Sequence, residues 1–196
     1  MCGDQFFILM DLAACMALAS SASCRARANG AHFTGGAVLA CVVGLSAPLL
    51  RDSLLEGAVV AIQDGTYLAV VVTGGLLGDL FARSRASWKA FFWMDTLGLA
   101  LSSGIGAVKA AILGTGLTGS LLIGLLAALT GGFVRDVALG DMALFVEESM
   151  YATAAAMGAV LALAFVWYAG VPAWLCAFVG ACLTVLLRGI WAKSVS

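Results

Sequence analysis

Charge is what this sequence has least of. Asp, Glu, Lys and Arg together make 11% of 196 residues, against about 25% in soluble domains. With 63% hydrophobic residues and a mean hydropathy of +1.07, a globule of this size cannot keep so much apolar surface from water. The chain therefore reads as an integral membrane protein. Proline is almost missing, with two residues against 24 glycines, which suits long helices packed through small side chains. No run of short alternating segments is present, which argues against a β-barrel. Histidine occurs once, at His32, and the six cysteines (Cys2, Cys15, Cys24, Cys41, Cys176 and Cys182) form no C-x-x-C pair. A metal site is not expected, and these cysteines read as small hydrophobes in a membrane core. The net charge of −1 leaves no basic footprint for nucleic acid. No stretch is polar enough for a separate soluble domain, and no basic segment precedes the first apolar run, so that run reads as a span and not a cleaved signal.

What is present is a repeat. Arg51-Asp52 recurs as Arg135-Asp136, 84 residues on (135 − 51 = 84). At the same offset Asp11 maps to Asp95, Arg25 to Lys109, Gly30 to Gly114, Thr34-Gly35 to Thr118-Gly119, Tyr67 to Tyr151 and Gly74 to Gly158. A fixed internal period sets the architecture. Apolar runs and charged breaks predict spans over 5–23, 33–55, 64–82, 89–108, 115–138, 148–168 and 171–191. The expected fold is an all-α integral membrane protein of seven transmembrane helices: residues 1–85 form one three-helix repeat, 86–169 a second, and 170–196 a seventh helix with a short tail. Three spans per copy force opposite orientations, the architecture of channels and transporters with a pathway between inverted halves. With the N-terminus outside, Arg25, Arg27, Arg83, Arg85, Lys89, Arg135, Arg188 and Lys193 fall inside, and only Arg51 and Lys109 outside. The bias predicts an outer N-terminus and a cytoplasmic C-terminus. The seventh span, with few polar residues before Arg188, is expected to serve packing or assembly.

The middle span of each repeat carries the candidate pathway. In the second copy the run is Thr130-Gly131-Gly132, followed by Arg135-Asp136. The first copy has Ser46-Ala47-Pro48, followed by Arg51-Asp52. Paired glycines weaken a helix and proline removes one of its hydrogen bonds. Both middle helices are thus expected to break at equivalent points, exposing carbonyls to a pathway; close packing is the alternative. Neighbours on one helix, Arg and Asp are not expected to face each other; each should pair across the repeat interface or reach the headgroups. Asp11 and Asp95 would draw cations towards the pathway. Arg25, Arg51, Asp52, Lys109, Arg135 and Asp136 would gate it or brace the breaks; a charge moved through the field is worth ~2.3 kcal/mol per 100 mV. Gly114-Thr115-Gly116-Leu117-Thr118-Gly119 fits G-x-G-x-x-G but lacks the preceding strand that fingerprint needs. Glu147 and Glu148 read as a solvated loop face.

These residues resemble a family. Asp95-x-x-Gly98-x-Ala100, Gly106-Ala107-x-Lys109-Ala110, Gly131-Gly132-x-x-Arg135-Asp136, Tyr151-Ala152 and Gly158-Ala159 are similar to the prokaryotic branch of the trimeric intracellular cation (TRIC) channels, over about 170 residues. The resemblance implies a homotrimer with one potassium-permeable pore per subunit, bounded by kinked second and fifth spans. It implies no cofactor; permeant potassium or sodium, membrane lipid and bound lipid are the partners. The family's glycine triplets read Ser46-Ala47-Pro48 and Thr130-Gly131-Gly132 here, and the animal members' Lys-Glu-Val is Lys109-Ala110-Ala111, so phosphoinositide binding does not carry over. A prokaryotic plasma membrane is the expected location. The reading that follows is a passive potassium channel. Its alternative is a secondary transporter of a small solute, which the near-absence of Asn, Gln and His from the middle spans disfavours. An intramembrane enzyme lacks a nucleophile, metal set or general base.

Overall fold

The computed structural model describes residues 2–55, 59–82, 87–140 and 150–195. Eight helices occupy them: α1 (Cys2–Ala28), α2 (Phe33–Leu54), α3 (Val60–Gln63), α4 (Gly65–Ala82), α5 (Ser87–Ile112), α6 (Gly116–Leu139), α7 (Met150–Tyr168) and α8 (Ala173–Val195). All except α3 are long and apolar enough to cross a membrane. The seven spans of the sequence are there, close to their expected limits. Helix α1 runs on to Ala28 because its cationic last turn finds partners: Arg27 Nε lies 2.6 Å from Asp79 Oδ1 and Arg27 Nη1 donates to the Ala31 carbonyl. The expected boundary between residues 85 and 86, the cations Arg83 and Arg85, the acids Glu147 and Glu148, and the first residues of the expected sixth span lie outside the described residues. Short α3 was not foreseen. After it Asp64 accepts from the Thr66 amide at 2.9 Å, opening α4, and Thr66 holds the Asp64 carboxyl below the usual carboxylate range.

The inverted repeat governs which residues are buried. Buried on α2 are Gly36, Ala40, Val43, Gly44, Ala47, Pro48, Arg51 and Asp52; on α6, Ser120, Gly124, Ala127, Ala128, Gly131, Gly132, Arg135 and Asp136. Each α6 position is the α2 position plus 84. The same shift carries all six buried residues of α4, Tyr67 to Asp79, onto buried residues of α7. These faces are stripes of small residues at helical spacing. In a bilayer such stripes let backbones approach, where van der Waals packing holds them. The fit is close: a Cβ on Gly78 would meet the Ser20 backbone, and one on Gly74 would come within 2.7 Å of the Met16 carbonyl oxygen. Ser20 Oγ also donates to the Gly74 carbonyl at 2.9 Å. Helices α1 and α5 pack together, as do α2 and α6, so the two repeats meet across their first and middle helices. Helix α8 covers α5 and α7. Cys15, Cys24 and Cys176 are buried as free thiols; Cys182 is exposed.

The expected breaks in the middle helices do not occur. Both α2 and α6 are helical throughout, with Pro48 inside α2. Proline removes one helix hydrogen bond and crowds the preceding turn, yet α2 continues through it; Ser46 Oγ donates to the Val43 carbonyl at 2.7 Å on α2, and Thr130 Oγ1 to that of Leu126 on α6. The glycines serve packing instead. A Cβ on Gly131 would sit 2.8 Å from a Leu18 methyl, and one on Gly132 would strike the Tyr151 hydroxyl.

Gly78→Ala is expected to drive α1 and α4 apart and to cost about 1–3 kcal/mol, read as a lower thermal midpoint in detergent. An unchanged midpoint would mean the contact has slack.

Candidate ion pathway between the repeats

Two buried charged clusters, one from each repeat, form the site. In the first, Arg51 on α2 grips Asp11 on α1 with both arms, Nη1–Oδ1 2.7 Å and Nη2–Oδ2 2.8 Å. The Tyr67 hydroxyl on α4 donates to the same carboxylate at 2.8 Å. Arg51 Nε turns back to Asp52 Oδ1 at 2.8 Å, and Lys109 Nζ of the other repeat reaches that oxygen at 2.7 Å. All but Lys109, whose side chain is 30% exposed, are almost wholly buried. A lone cation at the centre of a spanning helix costs about 2.5–3.5 kcal/mol. A two-armed guanidinium–carboxylate contact with Nε bonded to a second carboxylate is the geometry that offsets such a cost.

The second cluster repeats the first. Arg135 Nη1 pairs with Asp95, Arg135 Nε with Asp136 Oδ1 at 2.7 Å, and the Tyr151 hydroxyl stands 3.4 Å from Asp95. Arg25, the counterpart of Lys109, lies over the rings of Trp88 and Phe91. The first cluster is tied to the opposite repeat by Lys109, and the second by Arg135 Nη1, which reaches Ser21 Oγ on α1 at 3.5 Å. One member has no counterpart: Arg188 on α8 donates to Asp95 Oδ2 at 2.9 Å and lies over Phe92 and Tyr151. It is 1% exposed.

Four sequence expectations need correction or completion. Adjacent Arg and Asp do bond to each other in both repeats, because the arginine stem is long enough to fold Nε back onto its neighbour. As expected, pairing across the repeat interface also occurs, Asp52 with Lys109 and Arg135 Nη1 with Ser21 Oγ at 3.5 Å; Arg51 to Asp11 and Arg135 to Asp95 are internal to a repeat, and all four residues of the two pairs are buried. Arg135 and Arg188, counted as cations of the inner face, are instead buried members of the second cluster. The seventh span contributes a charged ligand as well as packing; the signal was a single arginine in an apolar run. Tyr67 and Tyr151 were visible in the repeat but not assigned to the site. Ser46 and Thr130 are half-buried on α2 and α6, with Ala47, Pro48, Gly131 and Gly132 buried beside them.

Beside the first cluster is a cavity of about 490 Å³. Asp11, Arg51, Tyr67 and Lys109 are its polar wall, and the rest is apolar, including Phe7, Ile112 and Trp174.

Known proteins resemble this chain in sequence and fold. A family model described as "Glycine transporter" matches residues 92–167. A UPF0126 membrane protein of Deinococcus radiodurans is 30% identical over 154 residues, 76% of this chain and 72% of that protein. The chain belongs to the UPF0126 membrane protein family. The inner membrane protein YadS of Escherichia coli K12, of the same family, is 28% identical over 79% of this chain and 76% of its own length. Two solved structures share the fold, each with a TM-score of 0.86. The TRIC trimeric intracellular cation channel orthologue from Rhodobacter sphaeroides is 24% identical, covering 95% of this chain and 98% of that one. A prokaryotic TRIC channel in 0.5 M KCl is 20% identical, covering 96% and 98%. The resemblance read from the sequence is therefore met by the fold: this membrane protein has the architecture of the TRIC channels, six spanning helices in two inverted repeats and a seventh.

Arg51→Leu leaves two buried carboxylates with too few donors and is expected to cost about 3–5 kcal/mol. Asp11→Leu with Arg51→Leu should recover part of that loss, as read by a double-mutant cycle on thermal unfolding. A double variant no more stable than the single one would mean that pairing is not what Arg51 provides.

Proposed function

We propose that the protein is a passive monovalent cation channel selecting potassium. Ions cross each subunit between the two inverted repeats, along the contact of α2 and α6. The observation that carries this reading is the repeated buried cluster, Asp11–Arg51–Asp52–Lys109 near one end of that contact and Asp95–Arg135–Asp136 with Arg25 near the other. Buried charge of this kind in a membrane marks an ion path or a gate far more often than a scaffold. The TRIC fold supports it, since the solved proteins that share it are described as cation channels. In this reading Asp11 and Asp95 serve passing cations when the guanidinium forks loosen. Ser46 and Thr130 spend their hydroxyl protons on their own helices and keep oxygen lone pairs for a partly dehydrated ion. Lys109, which bonds Asp52 of the other repeat, and Arg25, which lies over Trp88 and Phe91 of the other repeat, brace the closed arrangement. The assembly is a homotrimer whose outer apolar faces meet lipid. It sits in a prokaryotic plasma membrane with the N-terminus outside, and no catalytic activity is assigned to it.

The family model's description and the cavity beside Lys109 favour a second reading, a carrier of a small zwitterion such as glycine. Two observations weigh against it. The cavity wall is largely apolar, and the acceptors of Asp11 are already taken by Arg51 and Tyr67. A zwitterion needs a carboxylate for its ammonium as well as a cation for its carboxylate.

The test is recording from purified protein in planar bilayers with potassium on one side and sodium on the other. Unitary currents reversing towards the potassium equilibrium potential are the expected outcome. Electrical silence together with glycine accumulation in proteoliposomes would replace the channel with the carrier.

A further inference from the structure

We propose that Leu18 is the apolar plug that closes the path between the two charged clusters, an inference that rests on the channel reading. On α1 it stands seven residues past Asp11 and seven before Arg25, about 10 Å from each at helical rise. Asp11 belongs to the first cluster, and Arg135 of the second reaches Ser21 Oγ, three residues past Leu18, at 3.5 Å, so Leu18 lies between the two clusters on α1. Its side chain has no exposure and packs against Val43 and Ala47 on α2 and Val134 on α6. Ala47 and Gly131 are the equivalent central positions of the two middle helices. Leu18 therefore fills the place where α1, α2, α5 and α6 converge.

Glycines make room for it. A Cβ on Gly98 of α5 would fall 2.7 Å from a Leu18 methyl, and one on Gly131 of α6 would fall 2.8 Å from the same atom. The 84-residue offset shows this to be a matched set. Leu18 corresponds to Ser102, Gly98 to Ala14 and Gly131 to Ala47. Where the sequence has the large side chain it has two glycines facing it; at the equivalent positions it has a small serine and two alanines. Gly131, singled out from the sequence as a helix breaker, is instead half of the seat for Leu18. A branched apolar side chain between two polar clusters excludes water, and an apolar constriction gates by dewetting. Conduction then requires α1 to withdraw Leu18 from its seat, a movement that also pulls Asp11 from Arg51.

The experiment is bilayer recording of Leu18→Ala, Leu18→Ser and the volume-conserving Leu18→Met, each checked for a monodisperse folded state, with the milder Leu18→Val carrying the test if the smaller variants do not fold. A severalfold rise in open probability for Ala, Ser or Val, with Met close to the unmodified protein, is expected. A purely structural Leu18 would lower thermal stability in the small variants without raising current, and that result overturns the plug. Unmodified protein that conducts while every variant matches it overturns the plug and leaves the channel standing. Silence of the unmodified protein and of all variants overturns both.

Discussion

The constraint on which the structure depends is that Arg51 and Arg135 are held away from water inside an apolar chain. A guanidinium at that depth is tolerable only if nearly every donor finds an oxygen. Each arginine accordingly recruits one carboxylate from the first helix of its repeat, another from its own neighbour, and a tyrosine that caps the first carboxylate. Three helices of each repeat are thereby fixed relative to one another by charge. Packing through glycine and alanine alone would fix their separation but leave their depth free to slide. Lys109 of the second repeat bonds Asp52 of the first, and Arg135 reaches Ser21 of the first, so the charges that order each half also join the halves.

Much of this was legible in the sequence, because buried charge is rare in a membrane and therefore informative. The 84-residue offset located both clusters, the inverted repeats and the seven spans before any geometry. The burial pattern then followed the offset position by position. What the sequence misled about was the backbone. Ala47-Pro48 and Gly131-Gly132 look like helix breakers by local propensity, yet tertiary packing overrides propensity when the small residue is needed for contact. Gly131 is small because Leu18 touches it, and no one-dimensional reading connects residues 113 positions apart (131 − 18 = 113). The bond between Arg51 and Asp52 was excluded by thinking of side chains as radial spokes, whereas arginine is long and flexible enough to lie along its own helix. Arg188 was missed because the repeat drew attention to residues with counterparts, and it has none.

The closed clusters bear on function as well as on stability. Asp11 is gripped by both arms of Arg51 and by Tyr67, and Asp95 is shared between Arg135 and Arg188, so neither carboxylate offers much to a passing cation as a static charge. Their attraction becomes available only as the forks loosen. In the channel proposed above, fixed structure and transport would be two states of one set of bonds, and membrane voltage would act on a guanidinium or ammonium moving between them. The single exposed cation of the first cluster, Lys109, is the member with least to lose on moving.

Departures from the repeat are where the two membrane faces become distinguishable. The ion pair of Arg27 with Asp79 in the first repeat is replaced in the second by an apolar contact of Ala111 near Leu163, the residues 84 further on. Asp11 receives both arms of Arg51, while Asp95 shares itself between Arg135 and Arg188. The first cluster borders a cavity and its cation is partly exposed; the second has its arginines stacked on Phe91, Phe92 and Tyr151. A perfectly symmetric inverted dimer of repeats would present the same ends to both sides of the membrane and could not tell them apart. The eighth helix, by adding one arginine to one cluster and bordering the cavity beside the other with Trp174, gives the otherwise symmetric frame a direction.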